Sequence, residues 1–203
     1  EEDKRRFHYA DIFWKERRRK GISLLDAQKW MRERNYFAAM MVHEGEADAL
    51  VTGYSRSYPS VVKPMLQLIG KAPGISIVAS TNMMMTSRGP IFFSDTAINP
   101  NPTADEIAKI AVMTANIVRL FGLEPVIAMV SFSNFGSSNH ESAGKLREAV
   151  AYLHKYYPDL VVDGEIQADF ALNPEMLKAK FPFSKLAGKK VNTLIFPNLE
   201  SAN

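Results

Sequence analysis

Three short stretches carry residues able to do chemistry: Ser94-Asp95, Ser131-Phe132-Ser133 and Asp163-Gly164-Glu165. Each closes an apolar run of strand length. If the strands are parallel, their polar ends gather on one edge of a sheet, which is where open α/β sheets bind ligands. Two chemistries are open there. Asp95, Asp163 and Glu165 form a possible metal or acid/base set, or each caps a loop or helix beside it, and the second reading is preferred. The loop from Ser133 to Ser138 offers hydroxyls and backbone N–H groups just before a helix, an arrangement that suits an anion such as phosphate, or one that simply caps the helix. The chain has neither the Gly-x-x-x-x-Gly-Lys nor the Gly-x-Gly-x-x-Gly fingerprint. It has no Gly-x-Ser-x-Gly elbow for a hydrolase. His8, His43, His140 and His154 show no metal-ligand spacing.

These residues need elements to position them. Ile91-Phe92-Phe93 runs into Ser94-Asp95, and a loop with two Asn-Pro pairs follows. Each proline keeps the residue before it out of the helical region, so Asn99 and Asn101 are held extended or in a turn. Thr103-Ala104-Asp105-Glu106 reads as a capping box opening a helix from about Ala104 to Phe121. Its stripe is Ile107, Ile110, Ala111, Thr114, Ile117, Val118 and Phe121. The run 125–131 reads as a strand covered on both faces, and a helix from Glu141 to about Tyr156 follows it. Leu160–Glu165 and Val191–Pro197 are further strands, and Asn173-Pro174-Glu175 starts another helix. Strand alternating with helix calls for a mostly parallel sheet.

Upstream, Ser23 and Asn35 start helices, 47–53 reads as a short buried strand, and the polar turn Tyr54–Ser60 precedes a helical stripe from Val61 to Ile69. Pro64 fits near that helix's first turn. Residues 75–80 alternate as a strand, and Met83-Met84-Met85 leads into the turn at Ser87–Pro90. Lys71-Ala72-Pro73-Gly74 is the best boundary. It divides the chain into 1–73, the mainly helical remnant of a first α/β lobe, and 74–203, a second α/β lobe.

Composition narrows the class. With 46% hydrophobic and 23% charged residues over 203 positions, the chain is ordinary globular protein, long enough to bury a core without staples. The absence of cysteine removes disulfides and thiolate metal sites and fits a cytoplasmic location. No apolar run reaches the roughly 18 residues of a membrane span, so no membrane association is expected. The basic opening, Lys4-Arg5-Arg6 and Lys15–Lys20 with aromatics between, could meet nucleic acid. Interspersed acids and a net charge of only +3 favour a helix with one solvated face instead, resting on a body only partly present. The charged first residues and missing initiator Met are expected of a piece of a longer chain.

The stretches Ser94–Thr103, Pro158–Asp169 and Leu194–Leu199, in that order, resemble the phosphate acetyl/butyryl transferase family over nearly the whole chain from about Lys20. The segment 46–53 is similar to the family's segment before its first-domain substrate loop. The resemblance implies a three-layer α/β/α fold with a mostly parallel sheet, isocitrate-dehydrogenase-like and two-lobed, of which this chain is a truncated unit. It also implies exchange of an acyl group between coenzyme A and phosphate, without metal. Two departures matter. Lys63 stands where the family has Arg before Pro, keeping the charge but losing the bidentate fork. The family's catalytic Ser-Arg pair and its Asp lie downstream of Phe196-Pro197-Asn198, beyond Asn203.

A narrower resemblance lies in Tyr54–Pro59 and Ser133–Ser137, which look like the corresponding loops in the transferase-like C-terminal domain of multidomain NADP-dependent malic enzymes. It implies a regulatory domain that senses acetyl-CoA or another acyl-CoA, holds a homo-oligomer together and catalyses nothing alone. This fragment would bind no cofactor, with NADP and a divalent metal in the parent's catalytic part. On that reading Ser55, Arg56 and Lys63 face Ser133, Asn134, Gly136 and Ser137 across a cationic cleft. The alternatives are a fragment of an active phosphate acetyltransferase and a purely structural assembly domain.

Overall fold

From Ser76 onward the alternation of strand and helix patterns produces a five-stranded sheet, and before it helical periodicity produces helices, with no strand among the described residues. The computed structural model describes residues 3–203. Glu1 and Glu2, the start of the charged N-terminal run, lie outside the described residues. The chain divides into two units, Glu1–Ile75 and Ser76–Asn203.

In the first unit, α1 (Arg5–Arg17), α2 (Leu24–Trp30) and α3 (Arg34–His43) are followed by α4 (Tyr58–Pro64). Ser23 caps α2 in a capping box with Asp26. The basic N-terminal segment is a helix with one buried face: Tyr9, Ala10 and Phe13 pack against Met31, Tyr36, Ala39, Met40 and Leu68. Pro64 lies in the second turn of α4, not the first. It has no N–H to give the helical ladder, and the chain continues as a wider π-turn, Met65–Ile69. The strand expected at 47–53 is absent: the segment is irregular and Val51 is almost fully exposed. Among the described residues this unit has no strand, so an extended segment here has no ladder to join.

The second unit holds β1 (Thr81–Thr86), β2 (Gly89–Ser94), β3 (Val126–Val130), β4 (Val161–Ile166) and β5 (Thr193–Ile195). Their spatial order is β1-β2-β5-β3-β4. β1 and β2 form an antiparallel hairpin, and every other pairing is parallel. Residues 75–80 do not form the expected strand. Their polar groups bond to side chains instead: Val78 C=O to Asn99 (2.8 Å), Ser80 C=O to Ser94 Oγ (2.6 Å). The edge strand is the methionine run itself, and Met83, Met84 and Met85 are exposed.

Alternation along β3 sorts two cores. Ile127 and Met129 face α5 (Ala104–Leu120) and α6 (Glu141–Tyr156), with Ile107, Ile110, Leu146 and Leu153. Ala128 and Val130 face α7 (Ala168–Ala171), α8 (Pro174–Lys180) and the segment after it, through Ala171, Leu177 and Leu186. Helices therefore cover both faces, giving the three-layer α/β/α architecture. Each fully buried aliphatic side chain contributes about 1.5–3 kcal/mol. A last short helix, α9 (Leu199–Ala202), follows β5.

Candidate functional site at the carboxyl edge of the sheet

The edge is built from the loops that leave β2, β3 and β5. The β2 loop is organised by Asp95, which is buried. Its Oδ1 accepts from the N–H groups of Ser80 (3.0 Å), Ala97 (3.1 Å) and Ile98 (3.2 Å) and from the Ser80 hydroxyl. Its Oδ2 accepts from Asn99 N–H (2.8 Å) and Asn99 Nδ2. Burial pushes the carboxyl pKa up, but the Ser80, Ala97 and Asn99 hydrogen bonds more than reverse this, so the group ends below its ordinary value. The Asn-Pro-Asn-Pro loop is thereby fixed from within. It delivers Thr103 to the α5 capping box, where Glu106 reaches back to the Thr103 amide at 2.8 Å.

The β3 loop is organised by Glu165, and a bulge makes this possible. Met129 pairs with Gly164 and Val130 with Ile166, so Glu165 is left over. Regular alternation would put Asp163 and Glu165 on the same face. With the bulge, Asp163 turns to the α8 side and accepts from Ser184 Oγ and Lys185 N–H (both 2.8 Å), while Glu165 reaches α6. Only glycine fits at 164: its φ is +141°, and a Cβ would lie 2.6 Å from the Met129 carbonyl oxygen. Glu165 is fully buried, and its Oε1 accepts from Ser133 Oγ, Gly136 N–H and Arg147 Nη1, each at 2.8 Å. Its Oε2 is buried and meets no donor among the described residues. Ser137 bonds Ser133 (3.0 Å), and Asn134 pairs with Gln167 through Nδ2 (2.6 Å) and Oδ1 (2.8 Å). Phe135 adopts a positive φ of 44° to make the turn and is held between Phe181 and Phe183.

The anion that this loop embraces is therefore the protein's own carboxylate. Ser133, Gly136 and Ser137 gather around Glu165, and Asn134 stands beside them on Gln167. The three acids do not meet: each holds its own loop, as the capping reading expects. Among the described residues no group of three or more His, Asp or Glu could hold a metal ion.

In the first unit, Arg56 and Lys63 line one small pocket of about 220 Å³ with Trp30, Glu33 and Asn35. Lys63 Nζ sits 5.0 Å from the centre of the Trp30 ring, and Arg56 Nη2 lies 3.9 Å from Glu33. Ser55 is exposed on the turn before α4 and does not line that pocket.

The cleft at the carboxyl edge is larger, about 740 Å³, and none of the seven sequence-predicted ligand residues lines it. Its walls are Pro100 and Asn101 from the β2 loop, His140 to Lys145 from the start of α6, and Asn198 to Asn203 after β5. β5 lies between β2 and β3, so its loop is brought against both neighbours: Leu199 N–H donates to Pro100 C=O at 3.1 Å. Lys145 Nζ donates to Asn101 Oδ1 at 2.7 Å. Partial burial lowers the Lys145 pKa, with Glu141 and Glu106 opposing. His140 caps α6, its Nδ1 accepting from Ser142 N–H at 3.2 Å. A lysine beside the N-terminus of a sixteen-residue helix presents positive charge to a ligand's oxygen atoms. Lys145 and Asn198 escape a reading by local pattern. Asn101 and Asn198 do fall inside two of the stretches that carried the family resemblance.

An α/β/α domain with a polar cleft at the carboxyl ends of its parallel strands defines a ligand-binding fold of the open-sheet class. The chain matches the phosphate acetyl/butaryl transferase family over residues 1–203, and it belongs to that family. It is 41% identical over 202 residues to a phosphate acetyltransferase of Thermoanaerobacterium thermosaccharolyticum, covering 96% of this chain and 61% of that protein. The crystal structure of a phosphotransacetylase from Streptococcus pyogenes superposes with a TM-score of 0.87 at 40% identity, over 100% of this chain and 61% of that one. An NADP-dependent malic enzyme of Salmonella typhimurium is 37% identical over 203 residues, all of this chain and 27% of the enzyme. The chain thus spans about three-fifths of several of the transferases it matches and less of longer ones.

These relatives correct the expectation of an acyl-CoA-sensing malic-enzyme domain. Phosphate acetyltransferases match at 36–41% identity over 96–99% of the chain, and solved structures related at 34–40% identity are phosphotransacetylases. That expectation rested on two short loops. One of them, Ser133–Ser137, folds around an internal carboxylate, so its composition answers to packing as well as to any ligand. The malic-enzyme likeness stands as kinship within one family. Among the described residues no helix is long and apolar enough to cross a membrane.

Proposed function

We propose that this chain is part of a phosphate acetyltransferase that moves an acetyl group between coenzyme A and phosphate. The observation that carries the reading is the match to phosphate acetyltransferases over nearly the whole chain. The carboxyl-edge cleft supports it, because it joins Lys145 and the α6 N-terminus in one polar space. In the direction of thioester synthesis, the coenzyme A sulfur attacks the acetyl carbonyl, a C–S bond forms, the C–O bond to phosphate breaks, phosphate departs with the bonding pair, and the proton lost from the thiol is balanced by protonation of the departing phosphate. Lys145 would hold phosphoryl oxygens and stabilise the charge that collects on them. Ser55, Arg56 and Lys63 of the first unit belong to the same proposal as further contacts to phosphate groups, whereas Ser133, Gly136 and Ser137 are engaged on Glu165 and on one another, and Asn134 on Gln167.

The test is acyl transfer itself. Protein carrying this chain is mixed with acetyl phosphate and coenzyme A, and thioester formation is followed by absorbance. Lys145→Met is expected to raise KM for acetyl phosphate about tenfold, through loss of one charge-assisted hydrogen bond. An unchanged KM and kcat would remove Lys145 from the site. No thioester formation by the unaltered protein would overturn the reading as a whole.

A further inference from the structure

A second pocket lies at the opposite end of the same strands. It is about 360 Å³ and is formed where the β1–β2 turn (Thr86 to Arg88) meets the start of β2, Leu172 after α7, the first residue of α8 and the approach to β5. Its floor is apolar: Pro90, Ile91, Leu172, Pro174 and Val191. Among the described residues its charged lining groups are two cations, Arg88 and Lys190. Among the described residues neither pairs with a carboxylate. Arg88 Nη1 donates to Leu172 C=O at 3.2 Å and Lys190 Nζ donates to Arg88 C=O, bonds that fix both side chains at the rim but leave their charge uncompensated. The six residues of β2 separate this pocket from the carboxyl-edge cleft by about 20 Å.

An apolar floor with a few convergent polar groups, in a volume of this size, is the usual composition of a small-molecule site. Two unpaired cations select the sign of the ligand. We propose that this pocket binds a small organic anion with an apolar body, its carboxylate or phosphate head between Arg88 and Lys190 and its body on Ile91, Leu172 and Val191. The site is independent of the acetyl-transfer reading, since it shares no lining residue with the cleft.

The experiment is two-dimensional amide NMR of the labelled protein titrated with hexanoate, hexyl phosphate, hexylammonium and inorganic phosphate. Hexanoate or hexyl phosphate is expected to shift the amides of Ser87, Arg88, Gly89, Ile91, Leu172 and Val191 saturably, and the tighter of the two identifies the head group. Arg88→Glu is expected to weaken that binding by about tenfold, the equivalent of one charge-assisted hydrogen bond. Arg88 is exposed in a turn, and the remaining cross-peaks report whether the variant is folded. Lys190→Gln provides a second reading should the Arg88 variant disturb the hairpin. Equal shifts with hexylammonium would reduce the pocket to an apolar patch and overturn the proposal. So would inorganic phosphate binding as tightly as hexyl phosphate, shifts confined to Asn101 and Lys145, no shift at millimolar ligand, or charge variants that bind unchanged.

Discussion

Replacing Asp95 tests whether one carboxylate holds the β2 loop together. Four backbone N–H groups, those of Ser80, Ala97, Ile98 and Asn99, terminate on it, along with the Ser80 hydroxyl and the Asn99 amide. Asp95→Ala leaves the four N–H groups without this acceptor at a site that is 4% exposed, while the Asn99 amide keeps the Val78 carbonyl and the Ser80 hydroxyl keeps Thr96 Oγ1. Each unsatisfied buried donor costs about 1–3 kcal/mol, and water entering the loop recovers part of the sum, so a net loss of about 4 kcal/mol is expected. Asp95→Asn keeps one acceptor but turns an NH₂ toward the two Asn99 donors, for a loss of about 2 kcal/mol. With a urea slope of about 2 kcal/mol/M, the midpoints should fall by about 2 M and 1 M. The gap between wild type and Asp95→Asn should also depend on pH. Because the folded pKa is depressed, the Asp95 contribution is complete above the unfolded value near 3.9 and is lost as pH falls through the folded one. The gap must therefore close in acid. Midpoint shifts below about 0.5 M for both variants, or a gap that widens on acidification, would refute the assignment of Asp95 as the loop's organiser.

Three further outcomes follow from the same geometry. Gly164→Ala places a Cβ 2.6 Å from the Met129 carbonyl oxygen at a φ of +141°; a loss of about 4 kcal/mol or more is expected, seen as a much lower yield of folded protein and an early urea midpoint. Arg147→Met removes the cation facing the fully buried Glu165 and should cost about 3 kcal/mol by the same assay, whereas Glu165→Gln with Arg147→Met together should cost less than the two changes summed. Thr103→Ala deletes the α5 capping box for about 1 kcal/mol, with faster hydrogen exchange at Glu106.

What the sequence revealed was local in origin. The α5 capping box, the bounds of α6 at Glu141 and Tyr156, and the cap at Asn173 rest on contacts within four residues, and local pattern finds them. The apolar runs of β3 and β4 were visible because both faces of those strands are covered. The segments 47–53 and 75–80 are not strands, because an extended, apolar sequence becomes a strand only where a neighbour offers a ladder. The bulge at Glu165 has no apolar signature, yet it decides that Asp163 and Glu165 serve opposite faces. The cleft was illegible for a topological reason. β5 comes last in the chain but sits between β2 and β3, bringing Asn198 and Leu199 beside Pro100, about a hundred residues away in sequence.

The methionine edge has a consequence for oxidation. The chain has ten methionines and no cysteine, so thioethers are its only sulfur. Met83, Met84 and Met85 stand 43%, 56% and 70% exposed on β1, while Met31, Met40 and Met129 are at most 1% exposed in the cores. Peroxide therefore meets the edge strand and Met176 on α8 before the cores, and sulfoxides formed on the edge strand add polarity at an exposed surface. Oxidative damage and loss of fold are separated by design of the sheet: the first hits fall where they are reversible and cheap, and the buried thioethers are reached only after the domain has opened.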